Sequence, residues 1–234
     1  MKLYAEGNGW KIWQGKAEDL LSETPKGRFD LCLTDPPYGV NMANRTKIGG
    51  DGRRFTRKTW DAKRPAPEVF RLMRHASHNQ IIWGGNYFAD LLPPSRCWLI
   101  WHKRPYPNKM SFADCEIAYT SLNQNAKVLP LTWAGAWRAY KETDYPHPTQ
   151  KPTRLFDWCL TIPKKPPVSV IDPFLGTGTT IESCIKAGIF VEGGDMEEEY
   201  CEIAAKRALL VEEQKRNGLL DGPTETSDRG RGQG

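Results

Sequence analysis

Seven short apolar runs, several of them separated by stretches of helical periodicity, restrict this chain more than any other feature. They are Ile12-Trp13, Phe29 to Leu33, Gln80 to Trp83, Cys97 to Trp101, Glu116 to Tyr119, Val168 to Ile171 and Ile189 to Val191. Runs this short suit buried strands. Helical patterns lie at Pro67 to Ser77, Thr153 to Thr161, Thr179 to Ala187 and Glu197 to Glu213; in the last, Tyr200, Ile203, Ala204, Arg207 and Leu210 keep a three-to-four spacing. The alternation predicts an open α/β sheet of seven strands with helices on both faces. With 234 residues, 39% of them hydrophobic, the chain has apolar material for one sizeable core, and a single domain over residues 1–217 is expected. Residues 218–234 have little apolar content after Leu220 and many Gly, Thr, Ser and charged residues, so a disordered tail is expected there.

Several classes of function are disfavoured. No stretch approaches the roughly 18 apolar residues of a membrane span, and the start Met1-Lys2-Leu3-Tyr4 leads into polar sequence, so a soluble cytosolic protein is expected. None of the six cysteines forms a Cys-x-x-Cys pair, and several sit inside apolar runs, which reads as reduced core residues. His75 and His78 lie three apart on an expected helix with no further ligand near, a solvated face rather than a metal site. The net charge of +5 is only mildly suggestive, but its distribution is informative. Residues 39–64 hold Arg45, Lys47, Arg53, Arg54, Arg57, Lys58, Lys63 and Arg64 against Asp51 and Asp61, eight cations to two acids and so an excess of six. That segment is a candidate for polyanion contact. It is one of two long irregular stretches; the other is Arg104 to Pro152, irregular apart from its short strand.

Two motifs carry chemistry. Thr34-Asp35-Pro36-Pro37-Tyr38-Gly39 follows a strand directly, at the carboxyl end where open α/β sheets place ligands. Pro36 and Pro37 fix two φ angles and donate no backbone hydrogen bond, giving a rigid turn with one carboxylate, carbonyl acceptors and one aromatic ring. An exocyclic base amino group has its lone pair delocalised into the ring and attacks poorly until acceptors draw its N–H bonds. Asp35 and the Pro36 carbonyl offer two acceptors, and Tyr38 offers a stacking face, for a base that must be flipped out of its duplex. The alternative is a plain turn in which Asp35 caps backbone groups.

The second motif is Val170-Ile171-Asp172-Pro173-Phe174-Leu175-Gly176-Thr177-Gly178-Thr179-Thr180. Gly176 and Gly178 allow a ligand close to the backbone, Thr179 is suited to cap the next helix, and a helix N-terminus favours a carboxylate. About 20 residues on, Gly193-Gly194-Asp195 puts an acid after the next strand, where ribose hydroxyls of an adenosine cofactor are held in comparable sheets. A P-loop would need Gly-Lys-Ser/Thr, and a dinucleotide fingerprint a third glycine where Ile181 stands.

With both motifs present, the sequence resembles the amino-group DNA methyltransferases, the N6-adenine and N4-cytosine enzymes. The Asp35 motif precedes the Asp172 motif by 137 residues, and His147-Pro148-Thr149-Gln150-Lys151-Pro152 leads into a helix; both are similar to the circularly permuted branch and to its small phage or prophage members. The resemblance covers about residues 12–211. It implies a Rossmann-like, seven-stranded, mostly parallel sheet with one antiparallel strand, and S-adenosylmethionine as cofactor. It further implies Asp35, Pro36, Pro37 and Tyr38 at the target base, and Asp172, Pro173, Phe174, Gly176, Gly178, Thr179 and Asp195 around the cofactor. Lys151 is either a partner of the cofactor carboxylate or a surface lysine.

Double-stranded DNA is the implied partner, contacted by Arg45, Lys47, Arg53, Arg54, Arg57 and Lys58. Bacterial or phage-infected cytoplasm is the implied location; a homodimer is compatible with the sequence, and no restriction endonuclease partner is indicated. Family members often carry an acid after the glycine of an early strand, whereas Gly15 is followed here by Lys16 and Ala17, with Glu18 or Asp19 as substitutes. Loops 39–64 and 104–146 are the candidates for target recognition. In the second, Trp133 and Trp137 fit either base contact or the core face of a helix. Aspartate before Pro-Pro-Tyr resembles the adenine enzymes more than the serine common in cytosine enzymes. Glutamine methyltransferases usually carry asparagine there. A nucleic-acid-binding module with a dead site would require loss of Asp35 or the glycines, and none is lost.

Overall fold

The computed structural model describes residues 1–40, 63–103, 113–134, 137–138 and 150–220. In chain order the elements are β1 (Lys2–Gly7), β2 (Trp10–Gln14), α1 (Ala17–Ser22), β3 (Phe29–Thr34), α2 (Pro67–Ala76), β4 (Ser77–Trp83), β5 (Trp98–His102), β6 (Cys115–Thr120), β7 (Lys127–Pro130), β8 (Trp133–Ala134), β9 (Trp137–Arg138), α3 (Thr153–Thr161), β10 (Ser169–Asp172), α4 (Thr179–Ala187), β11 (Phe190–Asp195) and α5 (Glu198–Arg216). A short 3-10 turn, Gly85–Tyr87, follows β4.

Each of the seven apolar runs falls on a strand, but the sheet among the described residues has nine strands in the order β1-β2-β11-β10-β3-β4-β6-β5-β7. The expected count of seven is therefore corrected by two edge strands. β1 and β7 carry mostly exposed residues, because an edge strand facing solvent needs no continuous apolar run. The expectation of one antiparallel strand is corrected to two: β6 runs against β4 and β5, and β1 runs against β2. The stretch expected to be irregular after residue 120 instead contains β7 and the small β8–β9 pair. Trp133 and Trp137 lie on that pair rather than on a helix, and Trp133 is buried in the core. His75 ends the exposed side of α2 while His78 belongs to β4, and no metal-binding group occurs among the described residues. All six cysteines are free, five of them buried.

Helices cover both faces. Leu31, Leu33, Ile81, Trp83 and Val170 point with α3, α4 and α5 into one core. Cys32, Ile82 and Ile171 point with α1 and α2 into the other. Each fully buried Leu, Ile or Phe contributes roughly 1.5–3 kcal/mol relative to exposure. α2 starts with Pro67 in its first turn, where the missing N–H is not needed, and buries Val69, Phe70, Leu72, Met73 and Ala76 on one stripe.

The central pair positions the site. β10 leads through α4 to β11 on one side, and β3 leads through α2 to β4 on the other, so strand order reverses between β10 and β3. Open α/β sheets bind ligands at that crevice, beyond the carboxyl ends. Both motifs leave their strands there. No helix among the described residues is long and apolar enough to cross a membrane.

Candidate active site

The turn after β10 is braced by neutral donors. Asp172, 2% exposed, accepts hydrogen bonds from the Thr34 hydroxyl at 2.6 Å, the Thr180 hydroxyl at 2.5 Å and the Phe174 N–H at 3.1 Å. It thereby ties β3, β10 and α4 together across 138 residues of sequence. Burial pushes its carboxyl up to about 6 against the pull of these donors. Asp195 accepts from the Gly176 N–H at 3.0 Å with one oxygen and from the Glu197 N–H at 2.9 Å with the other, joining this turn to the start of α5.

The two glycines of the motif do different things. Gly176 has φ +53°, and a Cβ built on it meets nothing within 4 Å, so its open side faces the cleft. Gly178 has φ +84°, and a Cβ there would lie 2.8 Å from Ala204 Cβ on α5. At Gly178, expected to admit a ligand, the missing side chain makes room for a neighbouring helix. Thr179 also differs from expectation. Gly178 is the residue capping α4, with no side-chain capping bond, and the Thr179 hydroxyl accepts from Arg207 at 3.2 Å.

The turn after β3 is held by charge. Tyr38 donates its hydroxyl to Asp35 Oδ1 at 2.6 Å, and Lys151 Nζ donates to Asp35 Oδ2. Lys151 Nζ also faces the Tyr38 hydroxyl oxygen at 2.9 Å and Glu116 Oε2 at 3.3 Å. Of the ammonium's three protons, Asp35 and Tyr38 accept hydrogen bonds, while Glu116 is engaged by charge. Lys151, 7% exposed, is bound to Asp35 and Tyr38 rather than left at the surface. Glu116 Oε1 in turn accepts from Lys103 Nζ at 2.8 Å.

Titration follows from this layout. Burial, reinforced by Glu116, holds the Asp35 carboxyl above its usual range while Lys151 and Tyr38 pull it down. Burial raises the Glu116 carboxyl too, but Lys151 and Lys103 outweigh it and bring it down to about 2. Burial alone would lower the Lys151 ammonium; Asp35 and Glu116 reverse this and raise it. Burial and the nearby carboxylates push the Tyr38 phenol well up.

Tyr38 is itself packed. Its ring stacks on Tyr87 with centroids 4.7 Å apart and planes at 16°, and meets Phe88 edge-on at 6.1 Å. Gly84, at φ +72°, makes room, since a Cβ there would lie 2.1 Å from the Tyr38 ring. Arg64 binds Asp90 through two bonds of 2.7 and 3.0 Å and the Tyr87 carbonyl at 2.6 Å, fixing the turn that carries Tyr87.

One cleft of about 360 Å³ joins the two turns: Asp35, Pro37 and Lys151 line one end, and Phe174, Gly176 and Asp195 the other. Glu18 also lines it, whereas Asp19 is exposed and does not, which distinguishes between the two acids expected to substitute near Gly15. Pro173 lines the cleft, and Pro36 is buried and not part of its lining. Arg45, Lys47, Arg53, Arg54, Arg57 and Lys58 lie outside the described residues, as do Arg104 and His147 to Thr149. Glu116, Lys103 and Tyr87 are the site residues that sequence reasoning missed. An acid opening an otherwise apolar strand, Glu116-Ile117-Ala118-Tyr119, was the available signal for the first.

A family of DNA methylases matches residues 93–206. The type II methyltransferase M.BglII of Bacillus subtilis is 35% identical to this chain, over 83% of the chain and 67% of the relative. The chain belongs to the N6/N4 DNA methylase family. It is thus an amino-group DNA methyltransferase, as its two motifs suggest. A second relative of this family, M.HpaI of Haemophilus parainfluenzae, is 25% identical over 80% of this chain and 70% of its own length. Among solved structures, the complex of M1.HpyAVI with SAM has a TM-score of 0.56 at 19% identity, covering 85% of this chain and 98% of that one. The cytosine-N4-specific PvuII methyltransferase has a TM-score of 0.57 at 13% identity, covering 90% and 94%. Both share the fold of this methylase.

Proposed function

We propose that the protein transfers a methyl group from S-adenosylmethionine to the exocyclic N6 of adenine in double-stranded DNA. The observation that carries this reading is the Asp35 carboxylate, held at the mouth of a cleft that continues to the turn of Gly176 and Asp195. The cleft has the size of a small-molecule site, which typically spans about 300–1,000 Å³. Its residues fit the cofactor: open space at Gly176 for a close approach, Asp195 near ribose hydroxyls, and the N-terminus of α4 for a carboxylate. When bound, S-adenosylmethionine supplies an electrophilic methyl group on a sulfonium.

The chain's own residues then act on the base. Asp35 draws one N–H of the amino group, and the Pro36 carbonyl draws the other, so the nitrogen lone pair is freed to form the new N–C bond as the S–C bond breaks. Asp35, whose carboxyl lies above its usual range, takes up the proton that the nitrogen releases. Tyr38, its ring stacked on Tyr87, holds Asp35 in place through its hydroxyl at 2.6 Å.

A second reading, N4 of cytosine, is favoured by the likeness in fold to the cytosine-N4-specific PvuII enzyme. Against it stands aspartate at position 35. Mass spectrometry of nucleosides from DNA of cells expressing the protein separates the two. N6-methyladenine is expected; N4-methylcytosine would replace the reading, and neither would overturn both.

The DNA contact is assigned to the basic segment, with Arg45, Lys47, Arg53, Arg54, Arg57 and Lys58 along the phosphates. Each phosphate contact contributes about −0.9 to the slope of log affinity against log salt, so replacing Arg53, Arg54, Arg57 and Lys58 with alanine should flatten that slope by about 3 to 4 units. DNA binding by parent and variant at several salt concentrations checks it; identical slopes would put the DNA surface elsewhere.

A further inference from the structure

We propose that Glu116 is a positioning residue for methyl transfer: it shares the Lys151 ammonium with Asp35, and so leaves Asp35 the negative character that an amino group needs from its acceptor. The geometry is a chain of alternating charge. Lys103 Nζ lies 2.8 Å from Glu116 Oε1, Glu116 Oε2 lies 3.3 Å from Lys151 Nζ, and Lys151 binds Asp35 and the Tyr38 hydroxyl. Glu116 Oε2 is closed off from solvent and has no hydrogen-bond partner among the described residues. That oxygen faces the Lys151 ammonium, while the other oxygen of the carboxylate is paired with Lys103. β6 is the antiparallel strand inserted between β4 and β5, so Glu116 reaches the site from a strand that carries neither motif.

A carboxylate bound to an ammonium of its own is largely neutralised, and a neutralised acceptor draws an N–H bond weakly. Lys151 divides its charge between Asp35 and Glu116, so Asp35 is neutralised less than it would be with Lys151 to itself, and Asp35 is the one that lines the cleft. Lys103 is drawn to the far oxygen of Glu116 and does not reach Asp35. The other titratable groups around Asp35 and Lys151 are Tyr38 on the same turn, Asp172 at the end of β10 and Cys159 on α3. Burial holds the Cys159 thiol well up, so it stays neutral. The Asp172 carboxyl is hydrogen-bonded to Thr34, Thr180 and Phe174. The exchange of charge is therefore among Asp35, Lys151 and Glu116.

The proposal rests on the methyl-transfer reading for its effect on rate, but its electrostatic core is measurable without turnover. The experiment is a titration of the Asp35 carboxyl by carbon-13 NMR in the whole protein, assigned with Asp35→Asn, in parent, Glu116→Gln and Lys151→Met. Glu116 raises the Asp35 carboxyl and Lys151 lowers it. The midpoint should therefore move down in Glu116→Gln and up in Lys151→Met. Single-turnover methylation of DNA, followed across pH, should show the acid limb moving in the same two directions. The plateau rate of Glu116→Gln should fall on the order of 10- to 100-fold, less than the loss of a direct hydrogen-bonding group.

Affinity for S-adenosylmethionine, read by calorimetry, should change in neither variant. Should Glu116→Gln fail to fold, Glu116→Asp retracts the carboxylate from Lys151 and should also move the Asp35 midpoint down. A rate loss with an unmoved midpoint would make Glu116 a structural residue and overturn the proposal. Lost cofactor affinity in Lys151→Met with an unmoved midpoint would return that lysine to the cofactor carboxylate. A parent protein that titrates as expected but methylates no DNA would instead strike at the functional reading alone.

Discussion

The two turns at the centre of the sheet leave adjacent parallel strands and face one cleft, yet they are held in opposite ways. The turn after β10 is fixed by short-range or neutral partners: hydroxyls and backbone N–H groups on Asp172 and Asp195. The turn after β3 is fixed by ions from distant elements, with Lys151 and Glu116 brought to Asp35 from 116 and 81 positions away in sequence. A turn held by neutral donors keeps its shape whatever charge arrives near it. One held by shared ions changes its electrostatics with each partner, and this suits a group that must act on a reacting nitrogen rather than merely bind.

The sharpest way to break that comparison is Asp35→Ala. Turnover should fall on the order of 100- to 1000-fold, as is common when one preorganised hydrogen-bonding group is lost. Affinity for S-adenosylmethionine should be retained, because Asp35 closes only one end of the cleft. Calorimetry and single-turnover kinetics on the same preparation check both, and near-normal turnover would reduce Asp35 to a turn residue.

Gly178→Ala should cost a few kcal/mol of stability. A non-glycine residue in the left-handed region costs about 1–2 kcal/mol, and the new methyl, 2.8 Å from Ala204 Cβ, adds overpacking of typically about 1–3 kcal/mol. Denaturant unfolding measures it. A variant of full stability with weakened cofactor binding would restore the ligand role that the motif suggests when read alone.

Asp172 tests the neutral turn by pH. Its folded carboxyl is raised from 3.8 to about 6, above the unfolded value, so the stability it favours is fully present below about pH 4 and is lost as pH rises through 6. The shift of about two units corresponds to roughly 3 kcal/mol at most, at 1.36 kcal/mol per unit. Asp172→Asn keeps one acceptor and gives Thr180 a donor, and should flatten this part of the stability profile between pH 4 and 6. An unchanged slope in urea unfolding across that window would mean that the ionised form is well solvated after all.

What could be read from the sequence divides along the same line. The turn after β10 was legible because its determinants are contiguous: a strand, two glycines, a helix start. Its two glycines looked alike in sequence, however, and only the crossing of α5 at Ala204 separates them. In the other motif Asp35 and Tyr38 were legible, but Glu116 and Lys103 were not, since the pairing of β5 with β6 across Trp101 and Glu116 brings them in. Lys151 was legible as a site lysine but its ion pairs with Asp35 and Glu116 were not, because a lysine near an anionic cofactor and a lysine between two carboxylates are indistinguishable without coordinates. The edge strands β1 and β7 escaped notice for a simpler reason: half-exposed backbone carries too few apolar residues to stand out.

The smallest expected effect on stability belongs to Gly176→Ala, and it bears most directly on what the neutral turn is for. Gly176 has φ +53°, so alanine there carries the left-handed strain of about 1–2 kcal/mol. No heavy atom lies within 4 Å of the added Cβ, so no packing penalty joins it, and the loss should be clearly less than for Gly178→Ala. The Gly176 N–H can still donate to Asp195, which keeps the turn closed. The methyl group instead enters the cleft where a bound cofactor would approach the backbone. S-adenosylmethionine affinity should therefore fall by more than the stability loss accounts for, the reverse of the ordering at Gly178. Paired measurements of unfolding and cofactor binding on the two variants decide it: two glycines that lose stability and affinity in the same proportion would show that the turn merely closes the fold, and that the cofactor is held from elsewhere in the cleft.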